Sequence, residues 1–291
     1  MRILLTGATG FIGSAFLRLA LASGHEVGAL ARAERLAMLS AQNGLTVLGG
    51  TLLDPPWDEI RAFGADVCLH TAWVTEPGVY LESPANYDFL DWSRQFLVRL
   101  LDLGLSRVVA LGTCIEHRMN KDRTSASPDS AYVLCKDNLR RAIQAEAVHR
   151  KVEACWCRVF YPYGLGEHPA RLCSSLIRKF AYGEKVTLQT PGSTKDYIYI
   201  DDVALGLLTI LDHNLSGVID LGSGTDVKVR TIAEMIADIM ERPGAIEIAT
   251  PAAPDPFSHL VADTARLRGA GWQPRTTLRE GLTRLVHQLT A

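Results

Sequence analysis

The first apolar cluster stands at the very start of the chain, where Ile3-Leu-Leu5 follows Arg2 and leads into Thr6-Gly7. A short apolar run of this kind predicts a strand buried on both faces. Apolar residues then recur at helical spacing from Ser14 to Ala22, and again over 87–103 (Phe89, Trp92, Phe96, Leu97, Leu100, Leu101) and 131–148. Between these stretches lie further apolar, β-branched runs at 26–31, 45–50, 67–72, 106–113 and 153–160. Strands alternating with helices predict an α/β fold, a doubly wound parallel sheet with right-handed crossovers. Trp92 and Phe96 could pass for a cofactor box, but their helical spacing favours core or interface packing.

Beyond residue 160 the pattern loosens. Helices are predicted near 171–182, 203–213 and 231–241, a strand at 196–200, and a helix cap at Asp201-Asp202. Residues 192–195 read as a loop, as do residues 249–257, which hold Pro251, Pro254 and Pro256. Two domains follow: 1–160, carrying a cofactor site and the candidate chemistry, and 161–291, a smaller and mainly substrate-binding lobe. A segment at about 196–213 is expected to return to the first. No internal repeat or low-complexity tract interrupts this order.

Composition narrows the classes. The 291 residues are enough for a large core, and 47% hydrophobic with 21% charged residues is ordinary for a globular chain. A net charge of −2 without a basic run argues against a nucleic-acid partner. No apolar stretch approaches the ~18 residues of a membrane span. The N-terminus lacks a basic leader and an A-x-A site, so no secretion signal is read there. The six cysteines (68, 114, 135, 155, 157, 173) have no zinc spacing, so no metal is expected, and they read as reduced thiols of a cytoplasmic protein.

Gly7, Gly10 and Gly13 separate the first strand from the first helix. A strand entering a helix through glycines leaves backbone N–H groups and the helix dipole facing an anion, and glycine permits close backbone approach. Placed here, the pattern predicts a dinucleotide site formed by Gly7, Thr9, Gly10, Phe11, Ile12 and Gly13. An acidic residue at the end of the second strand would accept a ribose 2′-OH. This chain instead has Ala31-Arg32, with Arg35 one turn on, and arginines suit a 2′-phosphate. NADP(H) is therefore favoured over NAD(H). Leu52, after the third strand, is expected beside the adenine.

Three side chains could form an acid–base device: Thr113 at a strand end, and Tyr132 with Lys136 one turn apart on the next helix. A phenol of pKa about 10 is too weak a base at neutral pH. A neighbouring ammonium stabilises the phenolate, and a hydroxyl can bond the same substrate oxygen. That combination suits proton transfer at a carbinol oxygen coupled to hydride transfer with a nicotinamide.

Taken together, the motifs resemble the extended short-chain dehydrogenase/reductases of the nucleotide-sugar epimerase/dehydratase type, over nearly the whole length. Thr6-Gly-Ala-Thr-Gly-Phe-Ile-Gly13 is similar to T-G-x-x-G-x-x-G, and Leu69-His-Thr-Ala72 to the H-x-A segment under the cofactor. Arg158 to Gly166 resembles R-x-x-N-V-Y-G-P-G, Lys195 to Ala204 resembles R-D-F-I-H-V-D-D-V-A, and Gly271-Trp-Gln-Pro274 resembles G-W-x-P. The resemblance implies a Rossmann-type sheet with a C-terminal lobe, and Thr113, Tyr132 and Lys136 as catalytic triad. It adds Thr71, Ala72 and Phe160 to the cofactor contacts, beside Tyr132 and Lys136, and implies a homodimer built on helices 87–103 and 131–148.

Departures from the pattern refine the expected reaction. The 4,6-dehydratases of this family carry Asp-Glu after the catalytic threonine, where this chain has Cys114-Ile115; neither can serve as acid or base for water elimination. Arg32 points away from the tightly held NAD of 4-epimerases. The expected activity is NADPH-dependent reduction of a keto group, at C4, of a nucleotide-linked deoxysugar, within deoxysugar biosynthesis. A 4-epimerase is the alternative, and a non-catalytic NADP-binding regulator the alternative of another class. Tyr161 stands where the family has asparagine, Lys195 where it has arginine, and Ala252 where a later arginine binds diphosphate. Arg171 and Lys195 remain as candidate diphosphate ligands, with Arg178 behind them. Trp73, Thr75, Cys114, Glu116 and His117 are expected to border the sugar, since each follows a strand whose C-terminal end faces the cleft.

Overall fold

A computed structural model describes residues 1–116, 130–250, 255 and 257–291. His117 and Ala252 lie outside the described residues, as does the rest of the segment around each.

The central sheet has seven strands: β1 (Arg2–Thr6), β2 (Glu26–Ala31), β3 (Leu45–Gly49), β4 (Val67–His70), β5 (Arg107–Thr113), β6 (Glu153–Val159) and β11 (Gly217–Leu221). Their order is β11-β6-β5-β4-β1-β2-β3, and the pairs β3–β2, β2–β1, β1–β4 and β4–β5 are parallel. The order reverses at β1, so the crevice of a doubly wound sheet opens beside the glycine turn. Burial follows position. Ile3, Leu4 and Leu5 on the central β1 are inaccessible, all of β5 is buried, and β3 at the edge buries only Leu48.

Helix α1 (Phe11–Ala22) lays Gly13, Ala15, Phe16, Leu17 and Ala20 on the sheet. A 3₁₀ turn (Ala33–Met38) follows β2, and α2 (Trp57–Phe63) precedes β4. Helix α3 (Ala85–Asp102) packs against α4 (Ala131–Arg150), whose start is capped by the Ser130 hydroxyl, accepting from Val133 N. Phe96 on α3 is core and stacks on Trp57 at 5.4 Å; Trp92 is half-buried. No helix among the described residues is long and apolar enough to cross a membrane.

The chain divides into two compact units, 1–158 with 204–219, and 159–203 with 220–291. In the first, Arg107 at the head of β5 is a buried guanidinium that donates to the carbonyls of Ile210 and Leu211 at 2.6 and 2.7 Å. It thereby satisfies the end of α6 (Ile200–Asp212), where a cation also suits the helix dipole.

In the second unit β7 (Tyr161–Tyr163) pairs with β10 (Tyr197–Tyr199), and β8 (Val186–Leu188) with β13 (Ile246–Ile248). Helices α5 (Leu172–Ala181), α7 (Val229–Ile239) and α9 (Leu278–Thr290) pack together, beside a short α8 (Ala265–Gly269). Two expectations need correction. Residues 192–195 are not all loop: Thr194–Lys195 forms β9, antiparallel to β12 (Val227–Lys228). Asp201 and Asp202 do not cap a helix but lie in the first turn of α6, because the strand ends at Tyr199. The buried Asp202 instead accepts from the backbone N–H groups of Arg275 and Thr276 at 2.8 and 3.0 Å.

Candidate active site and dinucleotide cradle

The turn after β1 has space only for glycine. Gly7 has φ +71°, and a Cβ there would lie 2.5 Å from Thr71 Oγ1; a Cβ on Gly13 would lie 2.1 Å from Gly7 O. Gly10 caps α1 without a side chain, and no acidic residue occupies the first turn. No acidic residue of that turn therefore faces those N–H groups, which suits a cradle for a diphosphate.

Buried polar groups brace the turn. Thr6 Oγ1 accepts from the N–H groups of Thr71 and Ala72 at 3.2 and 3.3 Å and lies 2.9 Å from His70 Nδ1. With two donors already on that oxygen, its proton goes to Nδ1, so His70 Nε2 carries the ring proton and donates to Ser93 Oγ at 3.0 Å. Burial, with repulsion from Lys136, lowers the His70 pKa to about 3 and keeps the ring neutral. Thr71 spends its hydroxyl on Thr6 O at 2.7 Å.

Thr9, Phe11 and Ile12 are half-buried around the turn, as is Leu52 after β3. Arg32 is exposed and pairs with Glu34 at 3.2 Å; Arg35, also exposed, lies 3.4 Å from Met38 Sδ. Phe160 differs from expectation. Its side chain is wholly buried and its N–H bonds Leu221 O at 2.9 Å, so it is a core residue offering no side-chain surface.

At the C-terminal end of β5 the three candidate catalytic residues are all buried in the first unit. Lys136 Nζ donates to Leu111 O at 2.7 Å and lies 4.1 Å from the centre of the Trp73 ring, with the Tyr132 and Trp156 rings each at 6.0 Å. Burial lowers its pKa to about 7, against the opposing pull of Glu116. Tyr80 meets the Tyr132 ring edge-on at 4.8 Å. Thr113 Oγ1 lies 3.4 Å from Ile115 N. A hydroxyl, a phenol and an ammonium are thus held on one strand end and the helix that follows.

Three expected sugar contacts are placed differently. Glu116 is only 3% exposed; its Oε1 accepts from Thr113 N and its Oε2 from Trp156 Nε1, both at 2.8 Å. Burial raises its pKa, against those hydrogen bonds and the charges of Lys136 and Arg158. It is a buried brace with both oxygens engaged, not a group bordering the pocket. Cys114 is likewise buried, and Trp73 is packed down with its Nε1 donating to Asn86 Oδ1 at 2.8 Å. Thr75 is exposed. Sequence reasoning missed Trp156 and Asn86. A tryptophan on a buried strand needs a partner for its N–H, and that need was the available signal for Trp156.

In the second unit Lys195 Nζ donates to Asp255 Oδ2 at 2.8 Å and lies 4.7 Å from the centre of the Tyr161 ring. Burial pushes the Asp255 carboxyl up, but hydrogen bonds from Lys195, the Ser193 hydroxyl and Phe257 N outweigh it and hold it below the usual carboxylate range. The Tyr197 hydroxyl nearby is buried with no hydrogen-bond partner among the described residues. Arg171 is the N-cap residue of α5, but the buried Glu167 accepts from Ser174 N at 2.8 Å. The first turn of α5 therefore already faces a carboxylate of this chain.

A parallel sheet ordered 3-2-1-4-5-6 from its β3 edge, with a glycine turn at the reversal point, Thr113 at the end of β5 and Tyr132 and Lys136 on α4, defines a Rossmann-type α/β fold. Residues 3–222 match the model of the NAD dependent epimerase/dehydratase family, and the chain belongs to that family. UDP-glucuronic acid decarboxylase 1 of Danio rerio is 24% identical over 306 residues, covering 98% of this chain and 72% of the relative. A UDP-N-acetylglucosamine 4-epimerase from Methanobrevibacter ruminantium, solved in complex with UDP-N-acetylmuramic acid, superposes with TM-score 0.84 at 18% identity, covering 98% and 97% of the two chains. A Thermus thermophilus UDP-glucose 4-epimerase complexed with NAD gives TM-score 0.77 at 23% identity, covering 99% of each.

Proposed function

We propose that this protein reduces a keto group, at C4, of a nucleotide-linked deoxysugar with a nicotinamide dinucleotide as hydride donor. The observation that carries the reading is the burial of Thr113, Tyr132 and Lys136 together at the end of β5 and the start of α4. The cradle of Gly7, Gly10 and Gly13 would hold the cofactor diphosphate, with Thr9, Phe11, Ile12, Leu52 and Ala72 around it. When bound, the dinucleotide supplies the hydride.

The chain's own residues do the proton chemistry. Tyr132 delivers a proton from Oη to the ketone oxygen, and Thr113 orients that oxygen. Lys136 stabilises the resulting phenolate electrostatically. Arg171 and Lys195 are the cations proposed for the nucleotide diphosphate. Cys114 and Ile115 leave the turn after Thr113 without an acid–base pair for elimination. For the cofactor, Arg32 and Arg35 support NADP(H), although the T. thermophilus relative is a complex with NAD.

The 4-epimerase reading is supported by both solved relatives, which are 4-epimerases. In that case oxidation and reduction balance within one turnover. The deciding experiment follows NADPH oxidation with 4-keto-6-deoxy nucleotide sugars. Stoichiometric consumption supports the reductase, and interconversion of C4 epimers without added cofactor supports the epimerase.

A homodimer through α3 and α4 belongs to the same proposal. Exposed Tyr87 on α3 and Val148 on α4 support it, and sedimentation equilibrium tests it.

A further inference from the structure

Two charged side chains are buried on the same three residues of β5. Lys136 Nζ bonds Leu111 O at 2.7 Å, and Glu116 Oε1 bonds Thr113 N at 2.8 Å. Trp156 on β6 is shared between them: its N–H donates to Glu116 Oε2 while its ring centre lies 6.0 Å from Lys136 Nζ. The intervening residue is Gly112, where a Cβ would lie 2.1 Å from Trp156 Nε1 and 2.7 Å from Glu116 Oε1. Only glycine lets indole, carboxylate and strand come this close.

The ammonium is 3% exposed and donates to a neutral carbonyl, that of Leu111. An isolated buried charge is strongly unfavourable, so burial drives the group towards its neutral form unless an opposite charge acts on it. His70 at the end of β4 is neutral. Arg158 on β6 is cationic and acts on Glu116. On α4 itself, Asp137 is committed to Arg140 and Arg141, and Tyr132 carries no charge until it loses its proton. Among the described residues, Glu116 is the anion whose charge acts on Lys136.

We infer that Glu116 is a positioning residue whose carboxylate, anchored by Thr113 and Trp156, serves as the buried counter-ion of Lys136 while bracing the strand end that carries the Thr113 hydroxyl. The inference rests on the proposed acid–base role of Lys136, since its consequence is that the Lys136 pKa is held at about 7 where burial alone would take it lower. Two hydrogen bonds of a brace need no charge; a counter-ion does. That difference makes the two roles separable.

The test is a pH titration of the full-length protein without cofactor, labelled at lysine ε-carbons and read by NMR, with the Lys136 signal assigned by its loss in Lys136→Met. Glu116→Gln retains shape and removes the charge. The Lys136 midpoint is expected to fall by about one pH unit or more, the size a neighbouring unit charge produces in a buried site. Trp156→Phe retains the charge and removes one hydrogen bond, so its midpoint is expected to stay near that of the wild type. If Glu116→Gln does not fold, a fall of about one pH unit or more in Trp156→Phe by itself overturns the proposal. An unchanged midpoint in Glu116→Gln, or an equal fall in Trp156→Phe, overturns the proposal. Because the readout needs no turnover, a protein inactive on keto-sugars still decides it. In an active protein, the alkaline limb of the pH–rate profile should move to lower pH in Glu116→Gln.

Discussion

The ammonium of Lys136 lies 4.1 Å from the centre of the Trp73 ring, so an aromatic face takes the place of water over a buried cation. Such contacts contribute on the order of 0.5–2 kcal/mol, less than the desolvation of a lysine, and the net result is a pKa near 7 rather than 10.5. The folded state therefore binds fewer protons than the unfolded chain between those values. Stability then rises with pH through that window, by a total on the order of 5 kcal/mol from this residue. Chemical denaturation of wild type and Lys136→Met should show a difference in unfolding free energy that changes in favour of wild type from pH 6.5 to 8.5. A pH-independent difference would show that Lys136 keeps an ordinary pKa.

Tyr132→Phe removes only the hydroxyl from a ring packed edge-on against Tyr80 at 4.8 Å. Turnover on a 4-keto nucleotide sugar is expected to fall by about 10²–10⁴, the range for loss of a general acid. The melting temperature and the cofactor dissociation constant should stay near wild type. Undiminished turnover sinks the assignment of Tyr132. Tight NADPH binding by a wild type that turns over no keto-sugar would instead favour the non-catalytic reading.

Periodicity located six of the seven strands of the central sheet to within a few residues, because a strand buried on both faces leaves an apolar run that little else produces, but it missed β11. The glycine turn was equally readable, since Gly7 and Gly13 answer to sterics that act over a few residues. Glu116 was misread because its partners are an indole 40 residues away and a backbone N–H; strand-end position shows where a side chain starts, not which way it turns. Asp202 failed for the same reason, its partners lying at Arg275 and Thr276. Phe160 was assigned by motif, whereas its burial is decided by tertiary packing.

Arg32, the N-cap of the 3₁₀ turn after β2, and Arg35 within it are both exposed. If they read a 2′-phosphate, Arg32→Ala should weaken NADPH binding about tenfold, some 1.4 kcal/mol, and leave NADH binding unchanged. Glu34, which pairs with Arg32, should act in the opposite sense, so Glu34→Gln is expected to tighten NADPH. Fluorescence titration of both cofactors measures this. Equal NADH and NADPH affinities in wild type and in Arg32→Ala would remove the case for NADP(H).

Lys195 reaches Asp255 at 2.8 Å with both side chains largely buried, so any diphosphate it binds competes with a carboxylate. Lys195→Met is expected to weaken binding of a nucleoside diphosphate such as UDP or dTDP about tenfold by calorimetry, while cofactor affinity is unchanged. Unaltered nucleotide affinity would show that the Lys195–Asp255 pair is structural.

Gly13→Ala tests the cradle through sterics alone. The added Cβ would lie 2.1 Å from Gly7 O and 2.8 Å from Gly7 C, both backbone atoms that no rotamer change can move. Either α1 shifts away from the turn or the turn opens, and each displaces the N–H groups around Gly10 that face the proposed diphosphate. Overpacking of this kind costs about 1–3 kcal/mol of stability, which thermal unfolding reads directly. Cofactor affinity should fall further than that strain implies, because the anion is held by the positions of several N–H groups at once. Gly269→Ala is the matched control for stability: Gly269 is also helical, is not among the positive-φ glycines, and has nothing within 4 Å of an added Cβ. A Gly13→Ala protein that binds cofactor as wild type does would mean the dinucleotide is held elsewhere.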